Sequence, residues 1–138
     1  MTDGIFSGLK VIDCASWIAG PAATTILSDF GAEVIKIEPP GAGDPWRASP
    51  AVPGKTTDYW WQLTSRNKRS LAIDLKHADG LAVLQRLIAS ADVFITNFPL
   101  PVRHRLKIAE AFYYLHTQDR SCWTHELQLT PFPTKPSH

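Results

Sequence analysis

Between Asp13 and Pro21 the chain reads Asp-Cys-Ala-Ser-Trp-Ile-Ala-Gly-Pro, small residues opening into a helix start. Free N–H donors at a helix N-terminus suit a phosphate, and small side chains admit a flat ring system. A ligand loop and a plain strand-to-helix turn both satisfy this pattern. The dinucleotide fingerprint G-x-G-x-x-G is absent from it, and no Gly-Lys-Ser/Thr follows as in a Walker loop. Ser16 lacks the G-x-S-x-G elbow of a hydrolase nucleophile. Asp13, Asp74 and Asp92 fall at strand edges, where a carboxylate can act as nucleophile or base, but their spacing fixes no carboxylate pair. Asp92 also suits a turn into its strand. Arg66, Lys68 and Arg69 crowd one loop, with Lys76 beyond, and Arg103, Arg105 and Lys107 form a second group. Each group is either an anion site for a phosphorylated ligand or a solvated face. His104, His116, Cys122 and His125 are spaced 12, 6 and 3 apart. That matches no zinc-ligand pattern, so no metal site is expected.

These side chains need a frame. The 138 residues, 44% hydrophobic and 20% charged, fit one globular domain. Fourteen basic against 13 acidic residues give a net charge of +1, which argues against a nucleic-acid partner. The balance hides an asymmetry: residues 1–64 carry 4 basic and 7 acidic side chains (−3), residues 65–138 carry 10 and 6 (+4). A local anion site in the second half is compatible with this. Cys14 and Cys122 are too few and too scattered for a disulfide framework and read as inert apolar residues. No apolar run approaches the ~20 residues of a membrane helix, and the N-terminus is not a signal peptide. A cytoplasmic setting with no membrane partner is expected.

The first hundred residues alternate strand and helix. Leu9–Asp13 is a β-branched strand; Pro21 opens a helix with an apolar stripe at Ala22, Ala23, Ile26, Leu27 and Phe30. Gly31 ends that helix in the left-handed conformation, and Glu33–Glu38 is a second strand. Residues 39–57 form a long Gly/Pro/Ser-rich loop, a length usually reserved for function or disorder. Asp58–Thr64 reads as helix, Ser70–Asp74 as a third strand, and Asp79 caps a helix to about Ala89 with Leu81, Leu84, Leu87 and Ile88 inward. Asp92–Thr96 is a fourth strand. The fold class is α/β, a doubly wound parallel sheet with flanking helices, whose functional groups gather at the carboxyl ends of its strands. From about Arg103 the texture changes. No sustained period survives, and the end is Pro-broken.

Linked motifs then converge. Gly8-Leu-Lys-Val-Ile-Asp13, Ala19-Gly-Pro-Ala22 and Leu27-Ser-Asp-Phe-Gly-Ala-Glu-Val-Ile-Lys-Ile-Glu-Pro-Pro-Gly-Ala-Gly-Asp44 resemble the N-terminus of the class III (CaiB/BaiF type) CoA-transferase family. That family includes formyl-CoA transferase, carnitine CoA-transferase and alpha-methylacyl-CoA racemase. Asn67-Lys-Arg-Ser-Leu-Ala-Ile-Asp-Leu-Lys76 and Ala91-Asp-Val-Phe-Ile-Thr-Asn-Phe98 resemble its next two hallmarks, in order. The likeness spans about residues 5–108. Residues 109–138 depart from it and read as a disordered or frame-shifted tail.

The resemblance implies a Rossmann-like parallel sheet with flanking helices, coenzyme A or an acyl-CoA as substrate, with no permanently bound cofactor, a carboxylic acid as acceptor, and a dimer of interlocked subunits. Its CoA-contacting positions fall here on Ile18, Ala19, Ile73, Lys76, Asn97, Phe98 and Arg105. Lys76 and Arg105 are expected to neutralise phosphates, and Ile18, Ile73 and Phe98 to flank the adenine. Formyl-CoA transferase carries an arginine directly after the second strand, where this chain has Pro39. The family's attacking aspartate, which forms acyl-anhydride intermediates, falls beyond His138, so no catalytic residue is expected within these residues. The expectation is a truncated CoA-transferase, inactive as an isolated chain. The alternatives are a racemase-like fragment and a non-catalytic CoA-binding module.

Overall fold

The computed structural model describes residues 4–48 and 58–108. The expectations for the tail and for His116, Cys122 and His125 lie outside the described residues. Strands β1 (Lys10–Asp13), β2 (Glu33–Glu38), β3 (Lys68–Ala72) and β4 (Val93–Ile95) form one sheet in the order β3-β2-β1-β4, each neighbouring pair parallel. Parallel neighbours need long crossovers. Helices α1 (Ala19–Asp29), α2 (Tyr59–Ser65) and α3 (Ala78–Ser90) lie within them, and α4 (Leu100–Arg105) follows β4. The α/β expectation is met.

The strand order sets where a ligand belongs. From β1 the chain moves through β2 to β3, then returns to lay β4 on the other side of β1. The crevice at the carboxyl ends of β1 and β4 is therefore the switch point, the usual ligand position in open α/β sheets.

Alternation along the strands separates two faces. Ile12, Ile37, Ile73 and Phe94 join Leu84 in one buried cluster, against which Leu81, Leu87 and Ile88 of α3 pack. Val11, Val34 and Val93 join Ala32 in a second, covered by Leu27 of α1. The same face of β1 and β2 also carries Asp13, Lys36 and Glu38, all buried.

Three readings need correction. Most of the apolar stripe of α1 faces away from the core: Ile26 and Phe30 are about half exposed while Thr24, Thr25 and Ser28 are buried, and of the stripe Leu27 packs inward. The cause is the polar strand face beneath, which demands hydroxyl partners rather than methyls. Helix α3 is capped by His77, whose Nδ1 accepts from the Asp79 amide at 3.3 Å, so Asp79 sits inside the first turn. Strand β3 starts at Lys68, because its ladder begins opposite Val34 of β2, and Asp74 falls beyond it.

Two glycines are required where they stand. Gly31 has φ 103° and its N–H bonds to the Ser28 carbonyl while Ala32 N–H bonds to that of Leu27, a Schellman closure of α1. A Cβ on Gly80 would lie 2.1 Å from the Asp74 carbonyl oxygen, so α3 docks onto the exit of β3 only through glycine.

Candidate functional site

The segment Ala15–Trp17 leaves β1 at the switch point, and side chains from four other places grip its backbone. Ala15 N–H donates to Asp13 Oδ1 at 3.1 Å, and the Ala15 carbonyl accepts from Lys36 Nζ at 2.8 Å. Ser16 N–H donates to Asn97 Oδ1 at 3.0 Å, and its carbonyl accepts from Asn97 Nδ2 at 2.8 Å. Trp17 N–H donates to Asp44 Oδ1 at 3.4 Å. Five main-chain groups of a three-residue loop thus have designated partners. Trp17 itself has φ 69°, a left-handed value disfavoured for a bulky residue and worth about 1–3 kcal/mol of strain. Such strain persists only where the surroundings over-determine the backbone, as they do here. Trp17 and Ile18 are left about half exposed, and the Trp17 ring meets Trp46 edge-on with centroids 5.8 Å apart.

Beneath the loop lies a buried ionic lattice. Lys68 Nζ reaches Asp13 Oδ2 at 2.9 Å, the Pro21 and Thr64 carbonyls at 2.6 and 2.8 Å, and Thr24 Oγ1 at 2.7 Å. Thr24 Oγ1 in turn donates to Asp13 Oδ2 at 2.7 Å. Lys36 Nζ sits 2.8 Å from Asp44 Oδ2 and 4.0 Å from Asp13 Oδ2. Two acids and two ammonium groups balance one another, as buried charge requires. Burial pulls the Lys68 ammonium below its ordinary value, while Asp13 opposes that pull.

At the carboxyl end of β2, Glu38 accepts from Arg47 Nε at 2.6 Å and Nη2 at 2.8 Å, from Ser70 Oγ at 2.8 Å and from the Asp44 amide at 2.9 Å. Burial alone would raise this carboxyl, but Arg47, the Asp44 amide and Ser70 outweigh it and hold it at about 2. The Arg47 guanidinium stacks on Trp61, 3.9 Å from the ring centre. Arg47 therefore brings a guanidinium to the carboxyl end of β2, beside Pro39.

The positions singled out from the sequence separate clearly. Ile18 and Ala19 begin α1, exposed at the switch point. Asn97 and Phe98 follow β4 on the same edge; the Asn97 amide is spent on Ser16, and Phe98 packs against the α3-side core. The Ile73 side chain lies in that core, 8% exposed, and its N–H donates to the Glu38 carbonyl at 2.8 Å, which leaves its carbonyl as the group facing out of the ladder's end. Lys76 is exposed beyond β3, after a turn in which its amide bonds to Asp74 Oδ1 at 2.9 Å. Arg105 is exposed in the last turn of α4.

The cations at the start of β3 are each already paired with an acid. Arg66 binds Asp29 at 2.5 Å, Lys68 is buried on Asp13, and Arg69 binds Glu33 at 2.5 Å. Asp13 is no nucleophile either, since both its oxygens are engaged inside the core. Asp92 Oδ2 accepts from the Lys10 amide at the opposite sheet edge. Cys14 is buried, and burial first, then Asp13, push its thiol up to about 12 against the pull of Lys36, which makes it inert. Among the described residues no cluster of His, Cys, Asp and Glu could hold a metal ion. No helix among them is long and apolar enough to cross a membrane.

Comparison with known proteins decides the kinship. The model of CoA-transferase family III matches residues 6–112. The chain belongs to CoA-transferase family III. Its succinyl-CoA–D-citramalate CoA-transferase relative from Chloroflexus aurantiacus is 42% identical over 90 residues, covering 65% of this chain and 22% of the relative. The human succinyl-CoA:glutarate CoA-transferase is 42% identical over 92 residues, covering 66% and 21%. A crystal structure of a CaiB/BaiF family protein from Brucella suis superposes with a TM-score of 0.68 at 35% identity, covering 76% of this chain and 29% of that one. This member of CoA-transferase family III thus spans about a fifth of the length of these curated relatives.

Proposed function

We propose that this segment binds the coenzyme A portion of an acyl-CoA for a CoA-transferase that passes CoA to a carboxylic acid. The observation that carries the reading is the loop Ala15–Trp17, clamped at the switch point of a family III fold. A loop fixed before ligand arrives loses little entropy on binding. Ile18 and Phe98 supply apolar contact for the adenine, the Ala19 and Gly20 amides at the start of α1 supply donors, and Lys76 and Arg105 neutralise phosphates. Asn97 contributes through Ser16, and Ile73 through its main chain. The attacking aspartate is assigned to no residue of this segment. The interlocked assembly belongs to the same proposal. Its support is the exposed apolar surface of α1 and α2, namely Ile26, Phe30, Tyr59, Trp60 and Leu63.

Calorimetric titration of the monodisperse chain with CoA tests it. Saturable one-to-one binding is expected, with the Lys76→Ala/Arg105→Ala double variant weaker by tenfold or more and the difference shrinking at high salt. No binding at millimolar CoA, or a double variant indistinguishable from the parent, contradicts it.

A further inference from the structure

We infer that Lys36 is a positioning residue for the ligand loop, acting as a buried cationic pin; the inference rests on the CoA reading and deepens it. Lys36 is 1% exposed in the middle of β2, and its ammonium does more than pair with one carboxylate. It ties together two loops that are separate in sequence. One bond goes to the Ala15 carbonyl, and the other to Asp44 Oδ2, both at 2.8 Å. The second oxygen of Asp44 accepts from the Trp17 and Trp46 amides, at 3.4 and 2.8 Å. One ammonium therefore fixes the backbone that enters Trp17, through Ala15 two residues before it and through Asp44 at the Trp17 amide. Ser16 lies between the two attachments and the left-handed Trp17 follows directly, and the half-exposed Trp17 and Ile18 are what the pinned loop presents at the ligand edge.

The chemistry of the pin requires lysine. An ammonium offers three donors on a compact head, which suits two acceptors converging from different loops with Asp13 4.0 Å away. A neutral apolar residue would leave Asp44 buried without its counter-charge, and this is the costly half of a broken pair. Removing both charges together avoids that penalty, so Lys36→Met/Asp44→Asn separates loss of the pin from loss of the fold. The carboxamide that replaces the Asp44 carboxylate keeps an oxygen for the Trp17 and Trp46 amides.

Three readings are taken on the parent and the Lys36→Met/Asp44→Asn variant: the thermal melt, the amide chemical shifts of residues 15–18 without ligand, and the dissociation constant for CoA. The expected result is a cooperative melt, displaced loop shifts, and CoA binding at least tenfold weaker. A cooperative variant with unmoved loop shifts and affinity within twofold of the parent would overturn the inference. Should the variant fail to fold, the parent alone decides. The Lys36 ammonium protons must be protected from exchange and show through-space contacts to Ala15 and Asp44, and a freely exchanging ammonium overturns the assignment. If the parent itself binds no CoA, the functional reading fails, while the ligand-free loop shifts still judge the pin.

Discussion

At Glu38, burial and partnership oppose each other, and the partners win. Its carboxyl falls from an ordinary 4.5 to about 2. A depressed carboxylate contributes stability that is complete above pH 4.5 and is lost as pH falls through 2. Between pH 7 and pH 3 the loss attributable to Glu38 is about 2 kcal/mol. Urea unfolding at the two pH values is expected to show a smaller decline for Glu38→Gln than for the parent; equal declines would mean that Arg47 and Ser70 do not hold the charged form. The lattice around this residue was the least legible part of the sequence. Asp13 stands 23 positions from Lys36 and 55 from Lys68, so no local spacing ties these charges together. A usable signal existed: Val11 and Asp13, then Val34, Lys36 and Glu38, share one strand face by period two. Opposite charges on adjoining strands of that face point to a buried ionic layer.

Elements were read more easily than their ends. Each of the four runs read as strand falls on a strand of the sheet, because that signal is local. Helix α4 and the 3-10 turn Pro45–Ala48 escaped notice, since six and four residues are too short to show a 3.6-residue stripe. The direction in which α1 faces was misjudged for a different reason: an apolar stripe marks the core only when the surface it meets is apolar. Docking of α3 gives the test at this scale. Alanine is the better helix former by about 1 kcal/mol, yet a Cβ on Gly80 would collide with the Asp74 carbonyl. Overpacking of this kind costs about 1–3 kcal/mol. Gly80→Ala is therefore expected to lower the thermal midpoint, and a rise would show that the approach of α3 to β3 is looser than described.

For the molecule as a whole, alternation of strand and helix was enough to give the fold class, while strand order came only with the structure. Order matters for function, because it makes the carboxyl edge of β1 and β4 the switch point and leaves Arg66, Lys68 and Arg69 engaged elsewhere. The amino-terminal edge offers the competing location, a cleft lined by Lys10, Glu33, Arg69 and Ser90. Mapping backbone amide shifts during titration with CoA discriminates between the two edges. The account predicts perturbations concentrated at residues 15–19, 74–77, 96–98 and 105. Perturbations confined to Lys10, Glu33, Arg69 and Ser90 would contradict it.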